Sequence, residues 1–309
     1  MTRKPVNIAA SVKARLLKIS TDRGEDFNLL WIRYIHERLL YRLSKSQHAD
    51  EFVLKGATLF SVWHGEPHRP TKDLDLLARG SPNAARLRAI FAEICRVKVV
   101  DDGLTFDPAS VTAAAIREDA LYDGIRIILA VSMGTALTNV QVDVGFGDTT
   151  VPAPKKIQFP TFLKMAAPEL RAYAAETVIA EKLEAMITLG MANSRMKDFF
   201  DIDYMSSVFD FEGVRLVKAV QATLKRRRTA LPDDLPLALT AEFSKDKLKS
   251  QQWAAFDGRL GRHKTARSLN VVVANLRRFL EPVLTAVRSG ETPGAWSAGG
   301  PWNKDNNLR

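Results

Sequence analysis

Cysteine is nearly absent: Cys95 stands alone in 309 residues, which rules out an internal disulfide and a cysteine-based zinc site. It lies in ARLRAIFAEICRV, a predicted helix, where a buried structural thiol is the expected role. No apolar run approaches the roughly 20 residues of a membrane span, and the N-terminus MTRKPVNIAA lacks the apolar stretch of a signal peptide. From these absences a cytoplasmic protein with no membrane partner is expected. Internal repeats and low-complexity linkers are also missing, so the two halves of the chain are expected to pack together. What is present, 46% hydrophobic and 26% charged residues, supplies a sizeable core for one or two globular domains.

The net charge of +10 is unevenly spread: residues 1–50 carry 10 Lys and Arg against 5 Asp and Glu, residues 51–200 carry 17 against 18, and residues 201–309 carry 18 against 12. A near-neutral centre between basic ends would attract a polyanion and lay it across the middle. The candidate nucleic-acid contacts are Lys225, Arg226, Arg227 and Arg228, then Arg259, Arg262, His263, Lys264 and Arg267. A basic helix end beside its own negative dipole terminus is the competing reading. Aromatics interleave only thinly, and Trp253 and Phe256 suit core or base stacking equally well.

Apolar periodicity predicts helices over residues 8–20, 25–44 and 82–97, with Phe27, Leu30, Tyr34 and Tyr41 near one stripe of the second. Residues 51–62 suggest a strand or turn and then a short helix, and Pro67 and Pro70 mark a loop. After the turn signal Asp123-Gly124, IRIILAVS and VQVDVGFG read as two adjacent antiparallel strands. Beyond Pro168 the pattern is helical, over 174–190, 195–207, 212–226, 237–256 and 265–288. The expected organisation is an N-terminal helical segment (1–50), a core (51–165), a helical C-terminal lobe (166–290) and an irregular tail (291–309) that docks or stays disordered.

The chemistry concentrates in residues 52–77, FVLKGATLFSVWHGEPHRPTKDLDLL, where Lys55-Gly56-Ala57 forms a turn ahead of Asp73 and Asp75 on a short strand. Alternate strand residues share a face, so both carboxylates point one way, roughly 7 Å apart at the backbone, while Leu74 and Leu76 face the core. Such a pair can hold Mg²⁺, which keeps several waters and takes one or two carboxylates plus phosphate oxygens. A solvated strand edge or a turn cap is the plain alternative. The Gly56 turn is placed to start a helix whose free N–H groups face a phosphate.

Asp143, in VQVDVGF, falls on the polar face of its strand. Were that strand to lie beside Asp73 and Asp75, three carboxylates would converge, as two Mg²⁺ ions about 3.5–4 Å apart require in phosphoryl-type transfer; alone, it is an ordinary strand aspartate. In YAAETVIAEKLEAMITLG, Ile179, Leu183, Met186 and Gly190 form the buried stripe. Lys182 sits at its flank, either snorkelling or offering charge to a triphosphate. In NSRMKDFFDIDYM, Asp198 and Asp201 share a helix face, for which the plain reading is a solvated acidic surface paired with Arg195 or Lys197.

Taken in order, LKGATL, TKDLDLL, VQVDVGFGD, ETVIAEKLEAM and KDFFDIDYM resemble the AbiEii-type nucleotidyltransferase toxins of bacterial abortive-infection and type IV toxin–antitoxin systems, over residues 10–290. The resemblance implies an α+β fold: a DNA polymerase beta-like nucleotidyltransferase core of mixed sheet and helices, plus a helical C-terminal lobe. It further implies transfer of a nucleoside monophosphate from a nucleoside triphosphate (NTP) to RNA, with tRNA acceptor ends as the target, release of pyrophosphate, and a nearby-encoded antitoxin. Residue by residue, Asp73 and Asp75 match the metal-binding Asp-x-Asp, Asp143 the third acidic position, and Lys182 the lysine that meets the triphosphate. Asp198 and Asp201 match the two aspartates of the Arg/Lys-Asp-x-x-Asp motif.

The implied catalytic set is Asp73, Asp75, Asp143, Lys182 and Asp201, with two Mg²⁺ ions, and the implied nucleotide contacts are Lys55, Gly56, Thr58, Lys182 and Asp198. One departure matters: Gly56-Ala57 stands where many nucleotidyltransferases have Gly-Ser or Gly-Gly, leaving Thr58 to supply any hydroxyl contact. The residues alone also admit a small-molecule or protein nucleotidyltransferase, or a non-catalytic nucleic-acid-binding module.

Overall fold

Asn7 and Asp26 start the first two helices, α1 (Ile8–Arg23) and α2 (Phe27–Lys45), their side chains accepting from the N–H groups of Ala10 and Leu29, as helix caps do. The computed structural model describes residues 7–65, 69–116, 124–261 and 267–304. Pro67, Asp123, Arg262, His263 and Lys264 lie outside them. The chain forms two units, Met1–Gly147 with Lys155–Ala172, and Asp148–Pro154 with Tyr173–Arg309. The N-terminal helices therefore belong to the same unit as the sheet, and the division falls at residue 172, with a short excursion at 148–154.

Among the described residues of the first unit, eight strands form one mixed sheet: β1 (Phe52–Lys55), β2 (Asp73–Ala78), β3 (Thr105–Phe106), β4 (Thr112–Ala115), β5 (Gly124–Met133), β6 (Ala136–Phe146), β7 (Lys155–Gln158) and β8 (Glu169–Ala172). Their order is β3-β5-β6-β2-β1-β8-β7, with β4 also paired to β5. β5 and β6 form the expected antiparallel hairpin around Gly134. β6 then runs parallel to β2, which pairs antiparallel with β1. Helices α3 (Leu59–His64) and α4 (Ala84–Cys95) complete the unit. The mixed sheet with its helices bears out the α+β expectation. Cys95 is partly buried, and burial pushes its thiol up to about 11.

α2 departs from the simple stripe expected of it. From Arg33 to Leu43 almost every residue is buried, charged ones included. Asp102 sits at the centre of the reason. Arg42 Nη1 and Nη2 donate to its two carboxylate oxygens at 2.6 and 3.1 Å, and Arg38 Nε donates at 3.2 Å. Arg38 also donates to Glu37 and to the Ala166 carbonyl, while Glu37 accepts from the Phe162 N–H.

The second unit is mainly helical, with α5 (Ala175–Leu189), α6 (Met196–Val208), α7 (Gly213–Arg227) and α10 (Leu269–Ser289) close to expectation. The single helix expected over 237–256 is instead a short 3-10 turn, then α8 (Ala241–Lys245) and α9 (Lys247–Arg259). Thr240 and Asp246 each cap a new start, accepting from the N–H groups of Phe243 and Lys249, and so interrupt the run. The C-terminal segment docks. β10 (Ala295–Trp296) and β11 (Trp302–Asn303) build a three-stranded sheet with β9 (Phe211–Glu212). Trp296 is buried with its N–H donating to the Ser206 carbonyl at 2.7 Å, and Trp302 stacks on Phe279. Among the described residues no helix is long and apolar enough to cross a membrane.

Breaking a buried ion cluster by neutralising its shared partner typically costs about 3–5 kcal/mol. Asp102→Asn is therefore expected to lose stability of that order in chemical denaturation. A loss below about 1 kcal/mol, the worth of an exposed pair, would contradict the central role given to Asp102.

Candidate active site

Within the first unit, strand register lines up four charged residues. Lys55 of β1 faces Asp75 of β2, Asp75 faces Asp143 of β6, and Asp143 faces Arg126 of β5. The row reads plus, minus, minus, plus across four adjacent strands. Along β2, Leu74 and Leu76 are buried while Asp73 is exposed and Asp75 half-buried, so the two aspartates share the open face as the alternation predicts. Asp73 lies one step along, opposite Gln141.

Arg126 grips Asp143 as a fork, Nε and Nη2 each donating to a carboxylate oxygen at 2.9 Å, and Gln141 Nε2 lies 3.2 Å from both oxygens. This bidentate arrangement fixes the carboxylate plane as well as its charge. The expected meeting of three carboxylates at one point is not observed: among the described residues no three His, Cys, Asp or Glu side chains are grouped to hold a metal ion. Asp143 is instead held by its strand neighbours, beside Asp75.

Two glycines make the row possible. Gly56 has φ +74, and a Cβ there would lie 2.0 Å from Asp75 Oδ2 and 2.7 Å from Asp75 Cβ, so the carboxylate occupies the space a side chain would fill. Gly145 does the same for Lys55, whose Nζ lies 3.0 Å from where a Cβ would be. The lysine thus crosses β2 to reach β6. Thr58, two residues after Gly56 at the start of α3, has a buried hydroxyl and lines a pocket with Arg33 and His36.

The second unit holds its own cluster. Lys182 Nζ lies 2.6 Å from Asp198 and 2.8 Å from Asp201, and Arg195 Nε donates to Asp198 at 2.7 Å. Both aspartates are fully buried, so neither the snorkelling lysine nor the solvated acidic face describes them. Burial works to raise the Asp198 carboxyl, but Lys182 and Arg195 overcome it and hold it below the usual carboxylate range.

The basic candidates divide. Lys225, Arg226 and Arg228 are exposed at the end of α7. Arg227 is not a surface contact: its guanidinium meets Glu184 at 2.6 Å, Asp148 at 3.0 Å and Glu181 at 3.8 Å. Glu184 also accepts from Thr188 and Thr229. Arg267 pairs with Asp203 at 2.7 Å but keeps about half its side chain exposed (47%). Trp253 is core, donating to the Arg267 carbonyl. Arg126, Gln141 and Gly145 are site residues to which sequence reasoning gave no role, whereas Arg195 pairs with Asp198 as expected. Arg126 was findable, because a hairpin turning at 134–135 pairs 126 with 143.

The family model described as nucleotidyl transferase AbiEii toxin, type IV TA system, matches residues 38–279. Comparison with curated proteins found no match. Among solved structures, JHP933 from Helicobacter pylori is similar at 12% identity and TM-score 0.46, covering 82% of this chain and 90% of that one. A proposed nucleotidyltransferase from H. pylori is similar at 13% identity and TM-score 0.47, covering 82% and 94%.

Gly56→Ala would force a side chain into the Asp75 carboxylate and into a left-handed backbone, the latter alone costing about 1–2 kcal/mol. A clear drop in melting temperature is expected. An unchanged melt would contradict the packing of Gly56 on Asp75.

Proposed function

This chain belongs to the AbiEii family of nucleotidyl transferase toxins of type IV toxin–antitoxin systems, and we propose that it moves a nucleoside monophosphate from an NTP to an RNA hydroxyl, with tRNA as the acceptor. Membership of such a system implies an antitoxin partner. The single observation that carries the reading is the register row Arg126–Asp143–Asp75–Lys55, in which two carboxylates stand side by side between cations. A cytoplasmic setting, where NTP and tRNA are at hand, is part of the proposal.

The donor chemistry of the row suits Mg²⁺, because Asp75 and Asp143 offer hard oxygen ligands on two neighbouring strands, with Asp73 one step along β2, and Mg²⁺ takes only one or two protein carboxylates besides substrate phosphate. Bound by these residues, Mg²⁺ would neutralise triphosphate charge and favour loss of the acceptor proton. The chain's own groups do the rest. Arg126 and Gln141 keep Asp143 oriented in advance, so no reorganisation is needed when charge develops. Lys55 adds positive charge over β6. In the transfer, the acceptor oxygen bonds to the α-phosphorus as the α–β bridging P–O bond breaks. Pyrophosphate leaves with the electron pair, and the acceptor proton passes to solvent.

Lys182, Asp198 and Asp201 serve the same reaction by their family motif, with Lys182 meeting the triphosphate. Asp198, already accepting from Lys182 and Arg195, acts by positioning the lysine. The exposed Lys225, Arg226 and Arg228 supply phosphate contacts, which favours RNA over a small acceptor.

The test is incubation with each α-labelled NTP, Mg²⁺ and total RNA. Label is expected on RNA of discrete size, and folded Asp75→Asn is expected to lose roughly 10²–10³-fold of the rate, as when other preorganised charge-stabilising groups are removed. Label appearing on polypeptide or small molecules with none on RNA, or equal transfer by Asp75→Asn, would overturn the reading.

A further inference from the structure

A pocket in the first unit shares no lining residue with the carboxylate row. Arg23 from α1, Arg33 and His36 from α2, Thr58 and Ser61 from α3 and its start, and the segment 159–162 form its principal walls. Two of these groups are buried polar atoms without a hydrogen-bond partner: His36 Nε2, on a residue 2% exposed, and Thr58 Oγ1, on a residue 6% exposed. Leaving such a group unsatisfied is costly, and native interiors seldom keep one without a water or ligand in view.

The remaining lining points to the sign of that ligand. Among the described lining residues there is no Asp or Glu, the polar groups being guanidinium, hydroxyl and imidazole, and Glu25 meets the set from behind Arg33. Burial holds His36 down to about 4, so near pH 7 the ring is neutral and keeps one N–H to donate. Arg33 is oriented by Glu25 and by the Phe162 ring, 4.8 Å from its guanidinium. Ser61 follows Thr58 by three residues, which on a helix puts both hydroxyls on one side. A hollow whose described lining is rich in donors and carries two guanidinium groups is complementary to an oxyanion.

We propose that this pocket binds a small phosphate-bearing ligand, with Arg23 and Arg33 as cationic donors and Thr58, Ser61 and His36 completing its hydrogen bonds. The phosphate belongs either to free inorganic phosphate or to a nucleotide. This binding does not rest on the transfer reaction.

The experiment is NMR of the full chain with ¹⁵N-labelled histidine, titrated with inorganic phosphate and, separately, with AMP, both without Mg²⁺. The His36 signal is assigned by its loss in His36→Gln. Should that variant not fold, removing the other four histidines in turn assigns it, since the chain has five. A saturable shift of the His36 ring nitrogen is expected, with half-saturation at least tenfold higher in Arg23→Gln and in Thr58→Val. Arg23 is exposed, so its substitution keeps the fold. Tighter AMP binding assigns the pocket to a nucleotide, and equal binding assigns it to the phosphate alone.

No saturable shift with either probe, or unchanged half-saturation in both Arg23→Gln and Thr58→Val, would overturn the proposal. Loss of the shift in Asp75→Asn would also overturn it, by moving the phosphate to the carboxylate row. Loss of transfer with the shift intact refutes the transfer reading and leaves the pocket standing.

Discussion

The parallel pairing of β2 with β6 decides the rest of the first unit's chemistry. It sets Asp75 beside Asp143 at the ~4.8 Å spacing of neighbouring strands, where two carboxylates repel by about 3 kcal/mol at an effective dielectric near 20. The fold answers with a cation at either end of the same row, Arg126 and Lys55. The answer is only partial in chemistry, because Asp73 adds a further negative charge one step along. A site so arranged favours additional positive charge, which in the proposed reaction a divalent cation would supply.

The same device, charge removed from water and matched by a partner within reach, recurs through both units. Asp102 holds Arg38 and Arg42 under α2. In the second unit, Lys182 stands between two fully buried aspartates, and Arg227 is held by Glu184 and Asp148. Such clusters add little net stability over apolar packing, yet removing one partner is expensive. Their value lies in fixing geometry: Lys182 is held in one place by two aspartates that solvent does not reach.

Much of this was legible in the sequence. Alternation in DLDLLA put Asp73 and Asp75 on one face, and the hairpin of IRIILAVS with VQVDVGFG stood out by its apolar alternation. Arg126 was the one charge in its strand, and the turn at Gly134 assigns it to Asp143 by counting alone. What stayed hidden depends on tertiary burial. Asp198 and Asp201 at i, i+3 look the same on a wet helix face as on a buried one. Arg227 cannot be told from Arg226 or Arg228 until its partners, distant in sequence, are in place. The Trp296 and Trp302 segment, rich in Gly and Pro, carries no periodicity, and aromatic stacking on Phe279 orders it.

In the proposed reaction Asp75 and Asp143 together hold the cation of a nucleotide complex. Electron paramagnetic resonance of Mn²⁺, titrated into the full chain with a non-hydrolysable NTP, tests it most directly. Nucleotide-dependent bound Mn²⁺ is expected in the wild-type protein, lost in Asp75→Asn and in Asp143→Asn variants that melt as folded proteins. Undiminished Mn²⁺ binding in both variants would contradict it.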